Sequence, residues 1–214
     1  MEFFKRFTSS IILIPIVFFF IFKGSIFFNF FLFSIFCISC YEWYKMSISK
    51  KYFLAGIIFL IFSFFTVFTI RNSGTSDSLY IFIFIINVCI STDIGGYIFG
   101  NIFKGPKLTK ISPNKTYSGM LGGFILSIVI SYLFAMKYNL ISTYNNTYIG
   151  NLKFIILIFV ISSISQIGDL IISYFKRASK IKNTGKIFPG HGGMLDRIDG
   201  MIFVFPILYL LDKF

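Results

Sequence analysis

At 214 residues, 56% hydrophobic and 21% aromatic against 13% charged, with a mean hydropathy of +0.83, the chain excludes a soluble globular or disordered class and reads as a polytopic membrane protein. The formal net charge is +12, but the Lys and Arg residues sit in short segments between apolar runs rather than in a basic domain, which argues against a nucleic-acid partner. Cys37, Cys40 and Cys89 lie inside apolar runs without metal-ligand spacing, so neither a disulfide framework nor a thiolate metal site is indicated.

Apolar runs follow at about 7–22, 25–44, 52–70, 79–100, 119–136, 154–175 and 198–211. Crossing the hydrocarbon core takes roughly 20 helical residues. The third, fourth and sixth runs supply that, whereas the first and last are short enough to tilt, thin the bilayer or re-enter. Lys5 and Arg6 precede the first run as in a signal peptide, but no small-residue cleavage site follows and a second run begins at once, so it reads as an uncleaved helix. The expected fold is all-α: a polytopic transmembrane bundle of about seven helices. It forms one integral-membrane domain over 1–214, with N-terminal helices in 1–78 and the helices and loops that carry chemistry in 79–214.

Threading those runs puts Lys5, Arg6, Lys45, Lys50, Lys51, Lys104, Lys107, Lys110, Lys115, Lys176, Arg177, Lys180, Lys182, Lys186 and Arg197 on one side. Only Lys23, Arg71, Lys137, Lys153 and Lys213 fall on the other. The positive-inside bias makes the first side cytoplasmic, with the two long basic loops, 101–118 and 176–197, both facing it.

The acids are few enough to weigh singly. Glu2, Asp77 and Asp212 lie at termini or in a polar loop and read as solvated. Glu42, in a Tyr-Glu-Trp-Tyr run at a helix end, reads as structural within an interfacial aromatic belt, with Lys45 as its nearest candidate partner. Asp93, Asp169, Asp196 and Asp199 differ, because each interrupts or borders an apolar run, and carboxylates at membrane depth face a partner or a cavity. Structural Asp–Arg pairs are the plain alternative for any one of them. As a set beside clustered bases they suit a divalent cation bridging polyphosphate, since hard cations take carboxylates together with substrate phosphates. Gly95, Gly96, Gly185, Gly190, Gly192 and Gly193 would let backbone N–H groups approach an anion, although neither a P-loop nor a dinucleotide fingerprint occurs. His191, between two glycines in a polar loop, is either a turn-fixing residue or a phosphate donor and proton carrier. Ser112 or Thr116 can cap the fifth helix, and Lys115 beside them also suits an anion at its start.

The run Ser173, Lys176, Arg177 and Lys182, continuing through Pro189, His191, Gly192, Gly193, Asp196, Arg197 and Asp199, closely resembles the signature of the phosphatidate cytidylyltransferases, the CDP-diacylglycerol synthases. Ser91-Thr92-Asp93 with the following glycines, and Ser112 to Thr116, resemble that family's middle motif, while Lys5, Arg6, Pro15, Glu42 and Trp43 match weaker features. Two positions depart from the pattern: Asn183 and Ser118 stand where the family usually has acids, which withdraws any metal role there.

The resemblance implies transfer of a cytidylyl group from CTP to phosphatidic acid, giving CDP-diacylglycerol and pyrophosphate with Mg²⁺ and room for a second cation. It implies Asp169, Asp196, Asp199 and His191 as catalytic residues and Asp93, Asp169, Asp196 and Asp199 as metal ligands. Ser112, Lys115, Thr116, Lys176, Arg177, Lys182, Lys186 and Arg197 would bind substrate. The expected partners are CTP, phosphatidic acid and membrane lipid, with a homodimer allowed and no nucleic acid, in a bacterial inner membrane with the active site facing the cytoplasm. The alternatives are another CTP-dependent lipid enzyme, such as a polyprenol kinase or a CDP-archaeol-type synthase, or an anion or lipid transporter. A transporter would spread its charges along a path through both leaflets, whereas the polar groups here gather on one face.

Overall fold

A computed structural model describes residues 15–74, 77–109, 111–138, 140, 148–188 and 192–211, and among these it is all-helical. A first helix, α1, is described over 15–23. It is followed by α2 (Ser25–Ser47), α3 (Phe53–Arg71), α4 (Ser78–Phe103), α5 (Tyr117–Lys137), α6 (Tyr148–Ala178), α7 (Leu195–Ile198) and α8 (Met201–Leu210). Gly24, at φ 63°, breaks α1 from α2 in a backbone region that side chains disfavour. Among the described residues, helices α2 to α6 are the five that are long and apolar enough to cross a membrane. The final run expected at 198–211 is not one span: it divides at Gly200 into the single turn of α7 and the ten-residue α8. At 1.5 Å per residue α8 covers about 15 Å, half the hydrocarbon thickness.

The apolar runs form helices whose inward faces meet in two clusters. The larger contains Ile85, Val88, Ile158, Ile161, Val204 and Leu208, all 0% exposed, where α4, α6 and α8 come together. The smaller gathers Trp43, Leu60, Ile172, Leu195 and Ile202 beneath the loop that precedes α7. Trp43 is therefore not an interfacial belt residue: it is 3% exposed, and its indole N–H donates to the Phe53 carbonyl at 3.0 Å. In lipid, helices gain little from burying apolar surface against each other, so close approach and internal hydrogen bonds decide the packing. The Thr92 hydroxyl bonds the Ser162 hydroxyl at 2.8 Å between α4 and α6, and the Ser63 hydroxyl donates to the Ile202 carbonyl at 2.7 Å between α3 and α8.

Helices α4 and α5 form the most extensive pair, and glycines set their separation. A Cβ on Gly95 would stand 2.5 Å from the Gly122 carbonyl oxygen, and one on Gly119 would stand 2.7 Å from that of Gly96. Gly95 and Gly96 both lie inside α4, where Gly95 is required by the close approach to α5, so their N–H groups belong to the helix rather than to an anion site.

The helix ends segregate as the basic residues predict. At one end the Tyr52 and Ser179 hydroxyls meet at 2.9 Å, Arg177 reaches the Ile111 carbonyl, and Thr184 reaches Glu42. At the other, Arg71 donates to the Ile21 carbonyl at 3.0 Å and the Tyr80 and Tyr138 rings stack 5.0 Å apart. Lys23, Arg71 and Lys137 belong to that second end.

The α4–α5 contact yields a paired test. Gly95→Ala forces two backbones apart and should lower stability by about 1–3 kcal/mol, the usual overpacking cost. Gly96→Ala, whose Cβ would find its nearest neighbour 3.7 Å away, should be neutral or slightly stabilising because Ala is the better helix former. Thermal unfolding of the detergent-solubilised variants distinguishes the two, and equal shifts would refute the packing role.

Candidate active site

Four elements converge at the first end: α4 through Asp93, the turn before α5 through Lys115, α6 through Asp169 and Lys176, and the α7 region through Asp196 and Asp199. Each side chain is placed by local backbone chemistry. Ahead of α5 the Leu108 N–H donates to the Lys115 carbonyl at 2.8 Å and the Tyr117 N–H to the Pro106 carbonyl at 3.1 Å, which pairs the two ends of a loop. Thr116 caps α5, its hydroxyl accepting from the Gly119 N–H at 3.1 Å and meeting the Ser118 hydroxyl at 3.0 Å. Ser112 is not a cap; its N–H donates to the Thr109 hydroxyl and its carbonyl accepts from Lys115. The loop aims the Lys115 ammonium at Asp169, with which it forms an ion pair, while the Ser173 hydroxyl donates to the other Asp169 oxygen at 3.3 Å.

Lys176, only 8% exposed, is the hub on the opposite side. Its ammonium lies 2.8 Å from Asp196 and 3.9 Å from Asp199. The second Asp196 oxygen accepts from the backbone N–H groups of Thr184 at 2.8 Å and Gly193 at 2.9 Å. Gly192 adopts φ 91°, and any Cβ there would collide with that same oxygen at 2.6 Å. Burial alone would raise the Asp196 carboxyl, but Lys176 and the two N–H donors outweigh it and hold it below the ordinary carboxylate range. Its contribution to stability is therefore present above that range and lost as pH falls through the folded value.

Asp199 behaves in the opposite sense. Burial first, then the charge of Asp169, pushes its carboxyl well above the ordinary range, against the pull of Lys176. Asp93, Asp169 and Asp199 thus lie within reach of one another's charge, with Lys115 also close to all three and Arg197 close to Asp93. Such a group of like charges, with Asp93 open to solvent and Asp199 largely shielded from it, is relieved by protons or by cations.

The remaining expected residues occupy the rim. Lys182, Lys186 and Arg197 are exposed, and so is Arg177, which bonds the Ile181 carbonyl at 3.1 Å. His191 lies outside the described residues. Among the described residues no three His, Cys, Asp or Glu side chains converge into a ready metal cage. Beside the polar group lies an apolar cavity lined by Trp43, Tyr52, Phe59, Ile172, Phe175 and Phe203. Ile172 and Phe175 stand within about one turn of Lys176 on α6.

Sequence reasoning undervalued Glu42. It forms no ion pair with Lys45 and is 2% exposed, with its carboxylate turned into the loop before α7. The signal available was its place near the end of a long apolar run, just past Ser39 and Cys40, where a carboxylate needs a partner the local sequence does not provide.

Comparison with known proteins matches residues 55–214 to the model of a family described as the cytidylyltransferase family. A phosphatidate cytidylyltransferase of Staphylococcus haemolyticus is 38% identical over 162 residues, covering 74% of this chain and 57% of the relative. One from Rickettsia felis is 34% identical over 214 residues, covering 97% of this chain and 91% of the relative, and one from Rickettsia bellii is 37% identical over 181 residues, covering 80% of this chain and 74% of the relative. The chain thus spans little more than half the length of its staphylococcal relatives.

Removing the hub should be costly in a way that removing a rim base is not. Lys176→Ala leaves Asp196 and Asp199, with side chains 7% and 14% exposed, without their shared cation, which should cost about 3–5 kcal/mol. Lys182→Ala, at an exposed position, should stay within about 0.5 kcal/mol of the parent. Thermal unfolding in the absence of substrate measures both, and a Lys176→Ala protein as stable as the parent would refute the hub.

Proposed function

The chain belongs to the cytidylyltransferase family, and from that premise and the grouping of its acids we propose that it transfers a cytidylyl group from CTP to phosphatidic acid, releasing pyrophosphate and forming CDP-diacylglycerol. The observation that carries the reading is the approach of Asp93, Asp169 and Asp199, together with the ammonium groups of Lys115 and Lys176, at one end of a bundle of membrane-length helices. Soluble nucleotide and membrane-held lipid meet only at such a boundary. The excess of Lys and Arg at that end supports its facing the cytoplasm, and the bacterial relatives support an inner-membrane location.

In the reaction an ionised oxygen of the lipid phosphate attacks the α-phosphorus of CTP, a new P–O bond forms, and the bond to the β-phosphate breaks with pyrophosphate as leaving group. The nucleophile is already an anion, so little proton transfer is needed. The residues are asked for positioning and charge neutralisation. Lys115 and Lys176 stand among the acids and neutralise phosphate oxygens at the reacting centre. Arg177, Lys182, Lys186 and Arg197 hold the outer phosphates or the lipid headgroup, with Ser112 and Thr116 as hydroxyl contacts and His191 as a phosphate donor or proton carrier. The apolar cavity beside α6 supports a lipid substrate, because an acyl chain entering there would leave the headgroup next to Lys176.

The donor set fits a hard divalent cation such as Mg²⁺ that arrives with the triphosphate. Such ions commonly take only one or two carboxylates plus substrate phosphates, and Asp199, buried and within reach of the Asp169 charge, makes with Asp169 the pair that a cation would join. Bound there, the ion would polarise the phosphoryl oxygens. Asp93 stands as a further ligand. Asp196, both of whose oxygens already have protein donors, would join only by exchanging its contact with Lys176.

The test is turnover. Membranes holding the chain, supplied with labelled CTP, phosphatidic acid and Mg²⁺, should form labelled CDP-lipid above the empty-vector level, and chelating the metal should abolish it. Asp199→Asn should reduce the rate by at least about 10²-fold, the scale for losing a group that acts in the transition state, while the protein still inserts. Lys182→Ala should raise the CTP concentration required. No metal-dependent product from the parent chain would refute the reading, and full rates in Asp199→Asn would remove that residue from the metal site.

A further inference from the structure

We propose that Glu42 is a positioning residue of this site: its carboxylate, carried on α2, latches Thr184 together with Met194 and Leu195 and so holds Asp196 and Asp199 in register with Lys176 and Asp169. The functional half of the statement rests on the cytidylyl-transfer reading; the latch itself stands on geometry.

The carboxylate is buried, and among the described residues it has no Lys or Arg partner. Three neutral donors of one loop compensate it instead. Oε2 accepts from the Thr184 hydroxyl at 2.7 Å and the Leu195 N–H at 2.8 Å, and Oε1 accepts from the Met194 N–H at 2.9 Å. Such charge-assisted bonds are about twice as strong as neutral ones, and a buried carboxylate deprived of them is costly. The loop backbone lies so close that a Cβ on Gly185 or Gly193 would strike the Glu42 carboxylate.

The latch interlocks with the site. Asp196 takes the next two donors, the N–H groups of Thr184 and Gly193, so Thr184 is held by Glu42 through its hydroxyl and by Asp196 through its backbone. Successive N–H groups at 193, 194 and 195 are divided between the two carboxylates. Because Met194 and Leu195 begin α7, Glu42 satisfies N–H groups that the turn itself leaves open, and thereby fixes where α7 starts. Asp196 and Asp199 are borne on that turn and its end. On its other side α2 is braced by Trp43, bonded to Phe53 and seated against Gly56 of α3. Glu42 lies outside residues 55–214, so the N-terminal helices complete a site whose acids all lie within the family-matched region.

The full chain in lipid nanodiscs tests this with Glu42→Gln, Thr184→Val, Thr184→Ser and the Gln/Val double variant. Whichever way the Gln amide turns, its NH₂ group meets the N–H of Met194 or of Leu195, so one bond is lost without a change of volume. Amide hydrogen exchange should quicken at Met194 and Leu195 and stay unchanged through α4 and α5. At saturating CTP, kcat should fall by up to about 10²-fold, as misplacing a reacting group by an ångström can cost, with unfolding temperature near that of the parent. Thr184→Ser should keep the parental rate, and Thr184→Val should slow the parent more than it slows the Gln variant. Unchanged exchange at Met194 and Leu195, or kcat within twofold of the parent in Glu42→Gln, would overturn the proposal. A parent chain without turnover would instead sink the cytidylyl-transfer reading, and the exchange measurement would still decide the latch.

Discussion

Buried carboxylates seek donors, and in this chain the donors are mostly the backbone of one loop. Glu42 and Asp196 between them accept from the hydroxyl and N–H of Thr184 and from the N–H groups of Gly193, Met194 and Leu195. Lys182, Asn183, Lys186 and Ile187 of this loop are exposed and bury little, so hydrogen bonds to the two carboxylates do much of the holding. Leu195, fully buried in the smaller cluster, is the exception and marks where the loop enters the bundle. The placing of Asp196 and Asp199 against Lys176 follows from that attachment.

The frame around the loop is stiff for a different reason. Glycines let α4 and α5 touch through their backbones, and hydroxyl pairs such as Thr92 with Ser162 fasten α4 to α6. Asp93 and Asp169 ride on these two fastened helices, so their separation is set by helix packing and not by their own repulsion. Lys115, capping loop and all, then fills the space beside Asp169. The result is a site with alternating signs, in which each ammonium is shared or flanked by acids. A triphosphate and its cation would bring the same alternation in reverse, anion facing lysine and metal facing carboxylate.

Much of this was legible in the sequence because membrane chemistry makes polar residues conspicuous. The long runs between 25 and 175 announced their helices, and the segregation of Lys and Arg gave the side on which the loops gather. Asp93, Asp169, Asp196 and Asp199 stood out as charges at apolar borders, and the structure brings Asp93, Asp169 and Asp199 within reach of one another's charge and hangs Asp196 and Asp199 on one lysine. What could not be read was partnership across distance. Glu42 meets Thr184, 142 positions away, and nothing in its neighbours reveals that partner. Gly95 read as a glycine that would admit an anion because packing against α5 leaves no local signature other than small size. The break at Gly200 was hidden within a continuous apolar run.

The central claim is that the scarce acids at this end of the bundle receive a divalent cation together with the nucleotide. Soaking or co-crystallising the chain with Mn²⁺ and a non-hydrolysable CTP analogue, and locating the metal by its anomalous scattering, tests it directly. The expected result is a peak within coordination distance, about 2.0–2.3 Å, of an oxygen of Asp169 or Asp199, bridged to the analogue's phosphates. A cation bound to the phosphates alone, or seated away from both carboxylates, would contradict it.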